Sequence, residues 1–320
     1  MKKKILFTGG SGFIGHNVVP LLAEDYIVDA PGRSELDILD SEKVKEYVVN
    51  GQYDFCLHAA NPNGVKNPLD RDRDMLDGSM RCFMNFYRVR SETGRLYFLG
   101  SGAEFDKSRD IDMIHEEEFD RSIPKDPYGF AKYIQTDLAR SSENVYNLRI
   151  FGCYGPGDHY TKFITHCINC LKADQDITVR QDCYFDYMHV FDLAVIVKKL
   201  NDSELHYHDY NVCSGKPVLL SQIAEDVIKV YYSDEMKEYR RDNDVYSNAA
   251  ENIKCAEPDR KILYKGPYPH KVIILNEGLN RSYTASNKRL ISDIGSYEFK
   301  SLTDGIKLQI KSMKDDPVKN

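Results

Sequence analysis

No stretch of this chain stays apolar long enough to cross a bilayer, which sets a membrane-spanning architecture aside. Positive charge is not in excess either. Lys and Arg number 43 against 50 Asp and Glu, a net charge of −7, so neither a nucleic acid nor an anionic membrane is indicated as a partner. The early run Lys2-Lys3-Lys4 leads straight into a strand, without the longer apolar region of a signal peptide, and a cytoplasmic protein is expected. Eight cysteines without regular spacing suit a reduced protein rather than a disulfide scaffold. Cys167-Ile-Asn-Cys170 is a lone pair in a helix-like segment and reads as packing, so no metal site is expected. Internal repeats and low-complexity stretches are missing as well. What remains is 320 residues, 42% hydrophobic and 29% charged, the make-up of one large or two smaller globular domains.

The most informative stretch is Thr8-Gly9-Gly10-Ser11-Gly12-Phe13-Ile14-Gly15. The apolar run Ile5-Leu6-Phe7 before it reads as a buried parallel strand, and Asn17–Ala23 after it as a helix packed on a sheet. A glycine turn between strand and helix is a dinucleotide site for physical reasons. The backbone can approach a pyrophosphate closely, and the helix N-terminus offers it free N–H groups and a positive dipole end. The glycines fit two registers, Gly10/Gly12/Gly15 and Gly9/Gly12/Gly15.

Strands and helices then alternate. Tyr26–Asp29 reads as the second strand, broken at Ala30-Pro31-Gly32 and followed by Arg33. An acid at this strand end suits the ribose hydroxyls of NAD and an arginine the 2′-phosphate of NADP; the chain offers both Asp29 and Arg33, and the reading favours NADP(H) over NAD(H). A helix capped by Ser41 runs to about Asn50, and Asp54–Ala60 is a strand ending in small residues against which a cofactor can lie. Asp74–Glu92 is a long helix, Arg95–Gly100 a strand ending at Ser101, Asp126–Ser141 a helix and Tyr146–Phe151 a strand. The rhythm predicts an α/β fold, a doubly wound parallel sheet. Beyond residue 160 it changes, with helices at Phe163–Lys172, Val190–Leu200 and Ser221–Tyr232, strands at Asp209–Val212 and Lys271–Leu275, and an irregular region at Ser233–Pro269. Residues 1–160 are therefore expected to bind NAD(P), with 185–215 returning to that domain; 161–184 and 216–320 would form a smaller substrate-binding part.

Tyr128 and Lys132 stand one turn apart at a helix start and share a face. An ammonium beside a phenol lowers a pKa that is otherwise about 10, which would make Tyr128 a general acid or base near neutral pH. Ser101, at the end of the preceding strand, can face the same cleft with a hydroxyl for a substrate oxygen.

Glycine turn, strand-end serine, then Tyr-x-x-x-Lys is the order found in the extended short-chain dehydrogenase/reductase family, which this sequence resembles over nearly its whole length. The matching residues are Gly9/Gly12/Gly15, Asp37-Ile38, His58-Ala59-Ala60, Leu99-Gly100-Ser101, Tyr128 to Lys132, Leu148 to Gly157, and Phe185 to Ala194. The resemblance implies a Rossmann-type fold with a smaller C-terminal substrate domain. It implies Ser101, Tyr128 and Lys132 as catalytic residues. It also implies a cofactor held by Gly9, Gly12, Phe13, Ile14, Gly15, Arg33, Asp37, Ile38, Ala59, Ala60, Tyr128, Lys132 and Phe151. Asp37 and Ile38 would contact adenine; Lys132 would bind the nicotinamide ribose and lower the Tyr128 pKa. The family's usual substrates are nucleotide-diphosphate sugars, and its helices at Asp74–Glu92 and Tyr128–Ser141 commonly pair in a homodimer.

One departure concerns the second-domain signature, which usually opens with an arginine on the substrate pyrophosphate. Here that place is Phe185, so Lys162, Arg180 or Arg281 would supply the charge. Sugar dehydratases of the family follow the Ser101-equivalent with Asp and Glu, and GDP-fucose synthase places a cysteine two residues after it. This chain has Gly102 and Ala103, and near Lys162 it lacks the partner histidine. The resemblance therefore points to a reductase of a nucleotide-linked 4-keto-6-deoxy sugar without dehydration or epimerisation, with Glu104 and Cys153 as neighbouring groups that could substitute. A UDP-sugar 4-epimerase with tightly bound NAD and a non-catalytic NAD(P)-sensing protein are the other readings.

Overall fold

The computed structural model describes residues 2–61, 75–242, 261–262 and 267–313. In chain order it contains β1 (Lys4–Thr8), α1 (Phe13–Ala23), β2 (Ile27–Asp29), α2 (Ser41–Gly51), β3 (Phe55–His58), α3 (Met75–Arg88), β4 (Arg95–Ser101), β5 (Ile111–Ile114), α4 (Pro127–Arg140) and β6 (Val145–Ile150). There follow β7 (Gly152–Tyr154), α5 (Phe163–Lys172), β8 (Ile177–Asp182), β9 (Tyr184–Phe185), β10 (Tyr187–His189), α6 (Val190–Asp202) and β11 (Asp209–Val212). The chain closes with β12 (Val218–Leu219), α7 (Leu220–Tyr231), α8 (Asp234–Asp242), β13 (Lys261–Ile262), β14 (Val272–Leu279), β15 (Tyr283–Ala285), α9 (Lys288–Ile294) and α10 (Leu302–Ser312).

Two compact units arise from this chain. The first gathers Met1–Phe151, Val190–Gly215 and Tyr283–Glu298. Its core is a six-stranded sheet in the order β11-β6-β4-β3-β1-β2, every pairing parallel. Apart from the edge strand β2, the strands are buried (Ile5, Leu6, Phe7, Phe55, Leu57, Leu96, Phe98 and Leu148 are each at most 1% exposed), as expected when helices cover both faces. The chain leaves β1 for β2 on one side and returns to β3 on the other. That reversal opens a crevice at the carboxyl ends of β1 and β3, where ligands bind in open α/β sheets. A separate short parallel pair, β5 with β15, belongs to the same unit.

The second unit is Gly152–His189, Lys216–Ser282 and Phe299–Asn320. In it β8 pairs parallel with β14, β13 antiparallel with β14, β7 parallel with β10 and β9 antiparallel with β12. Helices α5, α7 and α10 share its core through Ile164, Cys167, Ile168, Ile223, Val227, Ile306 and Ile310. Cys167 and Cys170 are packing residues of α5.

Several element ends differ from the expectation. The N-cap of α2 is Asp40, not Ser41: its carboxylate accepts from the N–H groups of Glu42 (3.2 Å) and Lys43 (3.1 Å), which a serine one residue later cannot reach. Asp234–Asp242, within the region expected to be irregular, is helical. The Asp74 start of the long helix lies outside the described residues, as do 243–260 and 263–266; α3 ends at Arg88, and Arg90–Glu92 is a separate 3₁₀ turn.

Candidate active site

The turn after β1 has a shape that only glycine fits at two points. Gly9 has φ of +81°, and a Cβ there would lie 2.9 Å from the Ala60 backbone nitrogen. At Gly15, inside α1, a Cβ would stand 2.6 Å from Gly10 Cα and 2.7 Å from the Gly10 carbonyl oxygen. The turn is closed by the Gly12 N–H donating to the Gly9 carbonyl (3.0 Å). Gly12 is the N-cap of α1, no side chain caps it, and no acidic residue occupies the first turn. The helix thus presents uncapped N–H groups and its positive dipole end beside a backbone stripped of side chains. Those are the two features a pyrophosphate requires. Phe13 and Ile14 open the helix, half-buried.

Around this turn, Thr8 Oγ1 lies 2.8 Å from His58 Nδ1 and accepts from the Ala60 N–H (3.3 Å), tying β1 to the end of β3. Burial holds His58 neutral, with its pKa pushed down to about 3, and the Lys132 charge adds to the effect. At the end of β2 the Asp29 carboxylate accepts from two phenols, Tyr47 (3.1 Å) and Tyr53. Arg33 is exposed just beyond the Pro31-Gly32 break. Asp37 accepts from the Leu39 N–H (3.1 Å), and the Ile38 carbonyl accepts from Asn85 of α3 (2.9 Å), which pins this loop.

The reactive side chains meet where β4 ends and α4 begins. Asp126 caps α4, accepting from the Gly129 N–H at 2.9 Å, and Pro127 fills the first helical position, where no N–H is needed. This puts Tyr128 in the first turn, half-buried, and Lys132 one turn later, 6% exposed. Ser101 ends β4, and its hydroxyl caps the short 3₁₀ turn Gly102–Phe105 by accepting from the Ala103 N–H (3.2 Å). The Ser101 hydroxyl faces the Tyr128 phenol and favours its ionised form.

The lysine does not behave as its spacing suggests. Its Nζ donates to Gln135 Oε1 (3.1 Å) and stands 5.9 Å from the centre of the Tyr128 ring. Burial raises the Tyr128 phenol above its ordinary value; the Ser101 hydrogen bond opposes this and the Asp126 charge reinforces it. The expected depression of the Tyr128 pKa is therefore corrected: desolvation outweighs the lysine in this arrangement. Lys132 itself is pushed down to about 8 by burial.

Glu104 is fully buried, and it is not a spare acid. Its carboxylate accepts from Thr136 Oγ1 of α4 (2.5 Å), from Asn147 Nδ2 (3.0 Å) and from the Arg149 guanidinium of β6. Arg149, also fully buried, reaches Asp209 at 2.9 Å, and Asp209 in turn accepts from Arg140 (3.0 Å) and Arg289 (2.7 Å). This charge cluster clamps the Ser101 turn to the helix that carries Tyr128 and Lys132. Phe151 lies with its ring against Gly102 and Tyr283.

In the second unit, Lys162 is the N-cap residue of α5, Arg180 sits on β8, and Arg281 follows β14; all three are exposed. Among the described residues none of the three forms an ion pair. Phe185 of β9 stacks on Tyr187 with ring centres 5.0 Å apart.

Comparison with known proteins decides the class. The NAD dependent epimerase/dehydratase family matches residues 5–213. The chain belongs to that family. It is an NAD(P)-dependent enzyme of the extended short-chain dehydrogenase/reductase type, whose members modify nucleotide sugars. It is 24% identical over 260 residues to the GDP-L-fucose synthase of Azorhizobium caulinodans, covering 71% of this chain and 80% of that one. A GDP-L-fucose synthetase from Naegleria fowleri bound to NADP superposes with a TM-score of 0.74 at 14% identity, covering 97% of this chain and 92% of that one. A Bordetella bronchiseptica enzyme in complex with NAD+ gives a TM-score of 0.69 at 16% identity, covering 98% and 99%. At those identities the structural likeness shows the Rossmann-type fold, and the neighbours carry NADP in one case and NAD in the other.

The glycine cradle and the uncapped end of α1 fit the dinucleotide of this epimerase/dehydratase family. Sequence reasoning missed one residue of the site, Tyr283 on β15. Its hydroxyl lies 3.4 Å from Ser101 Oγ, and its ring packs on Phe151 with centres 5.0 Å apart. With 22 tyrosines in the chain and a separation of 182 positions from Ser101 to Tyr283, no local pattern marks it.

Proposed function

We propose that this protein is an NAD(P)H-dependent reductase of a nucleotide-linked 4-keto-6-deoxy sugar. The observation that carries the reading is that Ser101, Tyr128 and Lys132 gather where β4 ends and α4 begins while the three positions after Ser101 offer no second proton carrier: positions 102 and 103 are Gly and Ala, and Glu104 is consumed by Arg149, Thr136 and Asn147. Reduction at one carbon needs one hydride and one proton. Dehydration or epimerisation needs further proton carriers. The GDP-L-fucose synthase relative supports the nucleotide-sugar class.

When bound, the reduced nicotinamide supplies a hydride to the carbonyl carbon. Tyr128, kept protonated by burial, gives its proton to the carbonyl oxygen as general acid. The phenolate left behind accepts from the Ser101 hydroxyl and draws the Lys132 ammonium. Phe13, Ile14, Asp37, Ile38, Ala59, Ala60 and Phe151 are assigned to the cofactor. Asp29 is already engaged by Tyr47 and Tyr53, which supports NADP(H), with Arg33 on the 2′-phosphate. We assign the first unit to the cofactor and the second to the sugar nucleotide, with Lys162, Arg180 and Arg281 as the cations for its diphosphate. A homodimer through α3 and α4 is part of the proposal, supported by the half-buried apolar residues Met80, Met84, Tyr87, Phe130, Ile134 and Leu138.

The test is NADPH consumption with a panel of nucleotide-linked 4-keto sugars, run in deuterated water. Turnover without deuterium at carbon 3 or carbon 5 is expected, and Tyr128→Phe should lose about 10²-fold or more, the share of a positioned general acid. Near-normal turnover by Tyr128→Phe, or deuterium entering either carbon faster than in an enzyme-free control, would overturn it.

A further inference from the structure

Ser101 has a defined set of hydrogen-bonding places. A serine hydroxyl offers one proton and two lone pairs. One lone pair is taken by the Ala103 N–H at 3.2 Å, because Ser101 caps the Gly102–Phe105 turn. The Tyr283 hydroxyl lies 3.4 Å from Ser101 Oγ, and the Tyr128 phenol is the other hydroxyl on which Ser101 acts, favouring its ionised form. Both phenols hold their protons, since burial raises the pKa of each. A chain of three hydroxyls can be ordered in two directions, and only one of them leaves the Tyr128 proton available to a substrate.

We propose that Tyr283 is a positioning residue that donates to Ser101 Oγ, leaves Ser101 able only to donate to Tyr128, and so aims the Tyr128 proton at the substrate carbonyl oxygen. This inference rests on the reading of Ser101, Tyr128 and Lys132 as the reducing site. The packing holds Tyr283 in this place. A Cβ on residue 102 would fall 2.7 Å from both the Tyr283 hydroxyl and Phe151 Cε1, so glycine there lets the phenol come in over the turn. Phe151 supports the ring, and Tyr283 sits opposite Ile111 in the β15–β5 pair. The donor chain Tyr283 to Ser101 to Tyr128 is cooperative, because each hydroxyl that accepts becomes a better donor. When Tyr128 delivers its proton, its O–H bond breaks, an O–H bond forms on the substrate oxygen, and the electron pair left on the phenolate is met by the Ser101 proton. The hydride comes from the reduced nicotinamide dinucleotide. The polarity suits a carbonyl, which offers no proton of its own.

The experiment is a double-mutant cycle of Tyr283→Phe and Ser101→Ala with two readouts. Phenylalanine keeps the ring against Phe151 and removes only the hydroxyl. The first readout uses the free protein labelled with ¹³Cζ-tyrosine at neutral pH, the Tyr128 signal being the one lost in Tyr128→Phe. Tyr283→Phe is expected to move that signal, and to move it no further once Ser101 is alanine. A rearrangement independent of Ser101 would move it in both backgrounds and overturn the proposal, as would no movement in either. The second readout is turnover of GDP-4-keto-6-deoxymannose with NADPH. Tyr283→Phe should lower kcat about tenfold, the weight of one hydrogen bond serving a developing charge, with KM within about twofold. In the Ser101→Ala background it should change kcat by less than about twofold. Equal kcat in Tyr283→Phe and wild type, or fully multiplicative losses, would sink the positioning role. Normal turnover in Tyr128→Phe would sink the underlying reading instead. The spectroscopic arm decides the hydroxyl chain whether or not this keto sugar is turned over.

Discussion

Replacing Gly15 by alanine puts two effects of opposite sign against each other. Alanine in a helix interior is favoured over glycine by about 1 kcal/mol, so on propensity alone the variant should be more stable. The surroundings reverse the sign. The new Cβ would stand 2.6 Å from Gly10 Cα and 2.7 Å from the Gly10 carbonyl oxygen, where ordinary contacts are 3.4–4 Å. The Gly9 carbonyl oxygen stands closer still, and all three neighbours are backbone, so relief requires the whole turn to retreat by roughly 1 Å, an overpacking that costs about 3 kcal/mol. The net loss is about 2 kcal/mol, or a Tm lower by about 3 °C for a chain of 320 residues. The moved turn is also the one offered to the cofactor pyrophosphate, and an affinity loss of about tenfold corresponds to only 1.4 kcal/mol of misplaced contacts. Gly12→Ala is the control, its Cβ meeting only the Gly9 carbonyl oxygen at 3.3 Å. Thermal unfolding and NADPH fluorescence titration of both variants make the comparison, and neither needs the sugar substrate. A Gly15→Ala protein that melts within about 2 °C of wild type and binds NADPH within about twofold would refute the reasoning.

Two further outcomes depend on pH. Because burial pushes Lys132 down to about 8, its ammonium is lost as pH rises through that value, and the kcat/KM for NADPH in carbonyl reduction should fall with it; Lys132→Arg, which stays charged, should remove that limb, and a wild-type profile flat to about pH 10 would contradict the assignment. Glu116, 1% exposed and accepting from the Asn211 N–H at 2.8 Å, is raised by burial to about 7 from 4.5. Its stability contribution is full below 4.5 and is lost as pH rises through 7, so Glu116→Gln should gain up to about 3 kcal/mol at pH 8 relative to its effect at pH 4, measured by urea unfolding at both; an equal effect at the two values would be the failure.

What could be read from the chain was local. The helix Phe163–Lys172 and the strand Asp209–Val212 fall where their apolar patterns put them. Tyr128 and Lys132 share one helix because four-residue spacing guarantees it. Their electrostatics were not legible. Spacing brings an ammonium near a phenol but says nothing of Gln135, which takes the lysine proton donor, or of the burial that raises the tyrosine. The sequence does not separate Asp40 from Ser41 as the cap, because the two are adjacent and only geometry tells which oxygen reaches the free N–H groups. Nothing local marks Glu104 as engaged, because its partners Arg149 and Thr136 lie 45 and 32 residues further along the chain.

The first unit is stitched from three lengths of chain, and this has a consequence for how the protein is made. By the time Phe151 has been added, Arg149 and Glu104 exist but Asp209 and Arg289 do not, and Ser101 exists without Tyr283. The sheet then lacks its β11 edge, and Arg149 has Glu104 but neither Asn211 nor Asp209 to accept its remaining N–H groups. Almost 150 more residues must leave the ribosome before Glu298 is reached, on the order of ten seconds or more of translation. For the first part of that interval, until β11 (Asp209–Val212) has been made, the β6 edge of the nascent sheet is unpaired, the kind of surface on which chaperones act. The hydroxyl chain proposed at Ser101 can therefore form only once Tyr283 has been made, and a chain truncated ahead of Tyr283 would have a glycine cradle for the cofactor but an unordered proton donor.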